Sequence, residues 1–138
     1  AACQHRFIVL KNEPSSIADA YATIKVMIQD YSLDNISVIA NSVLTQNEGR
    51  HLYRSINSVI KNFLGSEVNY LHSISDDEML LRAIKASQPI LSFAPASPAA
   101  RDFSTMADIV EALPKHDSIS GGLQFFVERM AAHQTDKV

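Results

Sequence analysis

Three short apolar runs, each followed by a segment with helical spacing, limit this chain more than any other feature. Arg6–Leu10 (Arg-Phe-Ile-Val-Leu) is the first run, Ile36–Val43 the second, and a third begins at Val68–Leu71. Short apolar runs bounded by turn residues suit buried strands. The segments between them are long enough for helical crossovers. Strand, helix, strand, helix, strand, helix is the order of an α/β protein: a parallel β-sheet flanked by helices. Three or four strands make a small sheet.

Local signals place the helices. Asn12-Glu13-Pro14-Ser15-Ser16 ends the first run, and Ser15 or Ser16 is the expected cap of a helix reaching about Tyr31. Its inner face is Ile17, Ala20, Tyr21, Ile24, Met27, Ile28 and Tyr31. Thr45-Gln46-Asn47-Glu48 is a capping box, and Gly65 is the stop of the helix behind it. That helix is expected to bury Leu52, Ile56, Val59, Ile60 and Phe63. Ser75-Asp76-Asp77-Glu78 is a second capping box, with Met79, Leu80, Ala83 and Ile84 turned inward. Pro89–Phe93 is expected to be extended. Ser97-Pro98 opens a last domain helix with Phe103, Met106, Ala107, Val110 and Leu113 on its apolar face.

Composition narrows the class. The 138 residues fit one domain, and 46% hydrophobic against 20% charged is an ordinary globular balance. A net charge of -3 argues against direct nucleic-acid binding, which leaves a basic footprint. Cys3 is the single cysteine, which excludes an internal disulfide and fits a reducing cytoplasm. No apolar run approaches the ~20 residues of a membrane span. Nothing before Arg6 resembles a secretory signal, and the abrupt start is expected of a fragment or a cleaved product.

In open parallel sheets, ligands meet the carboxyl ends of the strands. Here these are Asn12-Glu13-Pro14, Asn41-Ser42 and Ile74-Ser75-Asp76-Asp77. The Asn41 amide can pair with an adenine edge, donating and accepting at once; it can equally bond nearby backbone as a turn residue. Asp76, Asp77 and Glu78 are either a ligand or acid-base cluster, or acids that complement a helix N-terminus. Glu13 and Asp19 carry the same two readings. The five histidines show no metal-ligand spacing, and no glycine-rich phosphate cradle exists among four glycines. The chain lacks the parts of a complete catalyst.

The C-terminal end stands apart. After a loose segment, 114–122, Leu123, Phe126, Val127 and Met130 recur at i, i+3, i+4 and i+7, and Phe125 widens the stripe. The expected organisation is a domain over 1–113, a linker over 114–122 and an amphipathic helix over 123–134. Such a helix covers a membrane interface, a partner protein or the chain's own core.

Four segments carry a family resemblance. They are Asn12–Val26, Asn47-Glu48-Gly49-Arg50-His51-Leu52, Ala96–Phe103 (Ala-Ser-Pro-Ala-Ala-Arg-Asp-Phe) and Gly122–Arg129 (Gly-Leu-Gln-Phe-Phe-Val-Glu-Arg). Together they resemble the C-terminal half of the FlhG/FleN family, MinD/ParA-like ATPases that regulate the number and placement of bacterial flagella. The match runs through the chain in order. It implies that the phosphate loop, the catalytic aspartates and the Mg ligands lie in an N-terminal half. These residues would then be inactive alone and would form the adenine side of an ATP/ADP site. The resemblance assigns Asn41, Ser75 and Asp77 to that side. Ser75 stands where the family usually has a proline; the helix cap survives the change.

The resemblance also implies a mechanism. ATP drives a homodimer, and the tail residues Leu123, Phe125, Phe126, Val127 and Met130 then grip the inner membrane, at the cell pole. Two tails bind as a linked pair. Hydrolysis returns a monomer whose tail folds back into its own groove. Implied partners are the N-terminal half, an FlhF-type GTPase, a flagellar transcriptional activator and C-ring proteins. The other readings are a non-catalytic module that offers its helices to the activator, and an unrelated flavodoxin-like domain that binds neither partner nor lipid.

Overall fold

The computed structural model describes residues 4–114. The segment 115–122 of the expected linker and the tail residues Leu123, Phe125, Phe126, Val127 and Met130 lie outside the described residues. One compact unit spans His5–Ala112.

Its sheet has three parallel strands in the order β1 (Arg6–Lys11), β2 (Ile36–Val43), β3 (Asn69–Ser75). Between them run α1 (Pro14–Gln29) and α2 (Gln46–Leu64). After β3 come α3 (Glu78–Lys85), α4 (Ile90–Phe93) and α5 (Pro98–Ala112). This is the parallel α/β architecture that the sequence order predicts.

Helices α1 and α2 share one face of the sheet. The core there joins Leu10, Val38, Ala40 and Val43 from the strands to Ala20 and Ile24 of α1 and Leu52, Ile56 and Ile60 of α2. Each is almost fully buried, and burying one of the leucine, isoleucine or valine side chains contributes ~1.5–3 kcal/mol. On the other face, Phe7, Ile39 and Leu71 border an apolar groove of about 750 Å³ with Phe103, Met106 and Val110 of α5.

Cap chemistry explains the helix boundaries. Thr45 Oγ1 accepts from the Glu48 N–H at 3.1 Å, and the Glu48 carboxylate reaches back to the Leu44 N–H at 2.8 Å. Gly65 closes α2 at φ 62°, a left-handed conformation that costs glycine nothing.

Several expectations need correction. Neither Ser15 nor Ser16 caps α1; Glu13 holds the cap position without a side-chain bond, and Ser16 Oγ accepts from the Lys11 N–H at 2.9 Å. The helix ends at Gln29, and Tyr31 is exposed. Asp77, not Ser75, caps α3. The third strand starts at Asn69, one residue after Val68. Pro89–Phe93 is not extended: Ile90–Phe93 makes one helical turn behind Pro89.

Val59, Phe63 and Ile84 do not face a core. They are 40%, 74% and 65% exposed. Helical spacing fixes which residues share a stripe, but not the width of the surface that covers it. Ala107 is exposed at the groove, while Phe103, Met106 and Val110 are half-buried.

Candidate functional site

The carboxyl ends of the strands gather the polar residues that alternation cannot bury. Ala40 lies toward α2, since a Cβ on Gly49 would meet its Cβ at 3.4 Å. Strand alternation turns the next residue, Asn41, to the opposite face, the one Ile39 shares with the groove. Asn41 pairs in register with Lys11 of β1.

Here the ladder breaks. Ala40 pairs with Ser73 and Val43 with Ser75, so β2 spends one residue more than β3. That extra residue is a β-bulge over Asn41-Ser42, with Ser42 in the left-handed region at φ 54°. A non-glycine residue held there costs of order 1–3 kcal/mol, and such strain clusters where a side chain must be aimed. The Asn41 amide makes no hydrogen bond among the described residues. Local backbone bonding, one of its two sequence readings, is therefore not seen there.

Ser75 sits at the end of the neighbouring strand. Its N–H and its Oγ both donate to Asp102 Oδ2 of α5, at 2.8 and 2.6 Å. Beyond it, the Asp76 N–H donates to the Val43 carbonyl at 2.8 Å, which extends the sheet by one bond into the turn.

The Asp77 carboxylate joins two helix starts. Oδ1 accepts from the Met79 N–H of α3 at 2.9 Å, and Oδ2 from the Ala99 N–H of α5 at 3.0 Å. The bond from Ala99, more than that from Met79, holds its pKa below the ordinary value, and Ser97 adds to it. Asp77 thus acts as a structural acceptor whose lone pairs are largely taken. Glu78 pairs with Arg82 at 2.9 Å on the surface of α3. Glu13 and Asp19 line a shallow groove beside β1, at the opposite edge of the described sheet from Ser75.

Asn12, at the end of β1, donates to Glu48 Oε1 at 3.1 Å. The Leu44 N–H and then Asn12 keep the Glu48 carboxyl below its usual pKa. This ties the loop after β1 to the start of α2.

Sequence reasoning missed three members of the site. Asp102 Oδ1 accepts from Gln46 Nε2 at 3.3 Å and lies 3.5 Å from His72 Nε2. Among the described residues, His72 Nε2 is buried without a hydrogen-bond partner. No local pattern marks their convergence, because α5, α2 and β3 meet only in the fold.

Comparison with known proteins gives the class first. The chain resembles the MinD cell division protein of Aquifex aeolicus with a TM-score of 0.63 over 83% of this chain and 46% of that one, at 19% identity. That likeness and the three-stranded sheet define a MinD-like α/β fold. The antiactivator FleN of Pseudomonas aeruginosa is 33% identical over 132 residues, 96% of this chain. The flagellum site-determining protein YlxH of Helicobacter pylori is 37% identical over 89 residues, 64% of this chain. The chain belongs to the FlhG/FleN family and matches its C-terminal half. It spans 47% of the length of FleN and 30% of YlxH. No protein-family profile matches it.

Proposed function

We propose that these residues form the base-binding half of a MinD-like ATPase that regulates flagella. The observation that carries this reading is the Asn41 amide, presented by a bulge at the carboxyl end of the central strand and free of described hydrogen bonds. An adenine edge offers a donor and an acceptor side by side, the complement of an amide. Ser75 and the turn to Asp77 lie on the adjacent strand end and form the second wall. Nothing among these residues suits the phosphates, and the Mg that neutralises them when ATP is bound belongs with the other half.

The free edge of β1 supports this division. Phe7 and Val9 are 40% and 58% exposed along a strand with no outer neighbour among the described residues. A parallel strand from an N-terminal half would pair there and cover both side chains.

ATP then closes a homodimer, and the tail around Leu123, Phe125, Phe126, Val127 and Met130 docks on the inner membrane. One short amphipathic helix binds a bilayer marginally, and two bind as a pair. Hydrolysis releases the dimer, and the tail returns to its own domain. The names of FleN and YlxH support a flagellar role, and "antiactivator" supports binding to a transcriptional activator. An FlhF-type GTPase and C-ring proteins complete the proposed set of partners.

The test is sedimentation of the whole protein with anionic vesicles. Binding with ATP and release with ADP would support the cycle. Equal binding in both states would remove nucleotide control.

Exposed Val59 and Phe63, one helical turn apart on α2, favour a second reading. In it the domain is a non-catalytic module that offers α2 to the activator. Retention of the activator by the 138-residue chain without ATP would favour that reading.

A further inference from the structure

Asp102 caps no helix, yet it draws together three elements. Its side chain is 14% exposed. A carboxylate so far removed from water is costly unless hydrogen bonds replace hydration. Two of those bonds come from one residue, Ser75, whose N–H and Oγ both donate to Oδ2. Gln46 of α2 supplies a third at Oδ1.

The bonds to Ser75 fall where the sheet would otherwise let the chain go. Among the described residues β3 is the last strand of the sheet, so the outward N–H of its final residue has no ladder partner there. Asp102 takes that role from α5. On the inner side, Val43 accepts from Asp76. One residue later, Asp77 ties the same turn to the starts of α3 and α5. The turn from Ser75 to Asp77 is therefore fixed from both sides of its strand, beside Asn41. Binding to a turn already in its final shape avoids the entropy of ordering it.

We propose that Asp102 is a positioning residue for nucleobase recognition: it holds the Ser75–Asp77 turn in the shape that meets the base beside Asn41. The inference rests on the nucleotide reading above. Asp102 touches no base; it acts through Ser75.

The experiment measures ATP and GTP affinities of the whole protein in four forms: native, Asp102→Ala, Asp102→Asn and Ile60→Val. Ile60 is a buried residue of the α2 core, so Ile60→Val lowers stability away from the site. Asp102→Ala should weaken ATP binding about tenfold, the scale of one lost charge-assisted hydrogen bond. It should narrow the preference for ATP over GTP and raise KM with kcat nearly unchanged. Asp102→Asn keeps an acceptor for Ser75 and should lose less, which keeps the test open if the alanine variant does not fold. Ile60→Val should leave the preference intact. Native discrimination that survives both Asp102 substitutions overturns the positioning role alone. A native protein that binds neither nucleotide overturns the nucleotide reading and the inference with it.

Discussion

Gly49 of α2 and Ser73 of β3 approach so closely that a Cβ on the glycine would lie 1.9 Å from the serine Oγ and 2.7 Å from its Cβ. Ser73 is fully buried, and its Oγ is bonded to the Tyr70 hydroxyl. The serine cannot swing away without breaking that bond. Gly49→Ala should therefore cost about 1–3 kcal/mol, the range for an overpacked core. A denaturant midpoint of the chain measures it, and adding Ser73→Gly should recover part of the loss.

The same contact shows what a linear reading can and cannot find. The strands Arg6–Lys11 and Ile36–Val43, the Thr45–Glu48 cap and the Gly65 stop depend on residues a few positions apart, and their signals are local. Asn41 and Ser75 were legible as strand-end residues for the same reason. Asp102 was not, because its meaning comes from Ser75, 27 residues away. The bulge at Ser42 was hidden too, since serine gives no sign of a left-handed backbone. Val59 and Phe63 followed the helical period faithfully, but the period does not reveal how wide a surface covers the stripe.

Acid should loosen the start of α3. The folded state holds the Asp77 carboxyl below its ordinary pKa through the Ala99 and Met79 amides. A depressed pKa contributes stability that is fully present above the unfolded value, about 4, and is lost as pH falls through the folded one. Thermal unfolding of the chain between pH 7 and pH 2 should show that decline. Asp77→Asn should lower stability at pH 7 and flatten the acid limb. An acid limb of unchanged steepness would remove Asp77 from the account.

Entry into β3 is guarded by two α2 side chains. Asn57 Oδ1 accepts from the Val68 N–H at 2.9 Å, and the Tyr53 hydroxyl donates to the Val68 carbonyl at 2.8 Å. Val68 is 2% exposed, so neither group has ready access to water. Asn57→Ala should cost about 1–3 kcal/mol, the penalty of an orphaned buried donor, and Tyr53→Phe about 1 kcal/mol. Chemical denaturation of the two variants compares them directly. Burial, with Glu67 nearby, also pushes the Tyr53 pKa up.

The proposed membrane grip gives a sharp substitution. Phe126→Glu with Val127→Glu places two charges on the apolar stripe. Burial of those charges in a bilayer is strongly unfavourable. ATP-dependent vesicle sedimentation of the whole protein should be abolished. Unchanged sedimentation would discredit the tail as the anchor.

The central claim is that the carboxyl end of β2 meets the base of a nucleotide. Titration of ATP into the whole protein and its Asn41→Ala variant tests this most directly. The account predicts a loss of ~1–2 kcal/mol, about 5- to 30-fold in Kd, the scale of a lost buried hydrogen bond. An identical Kd in the two proteins would contradict it.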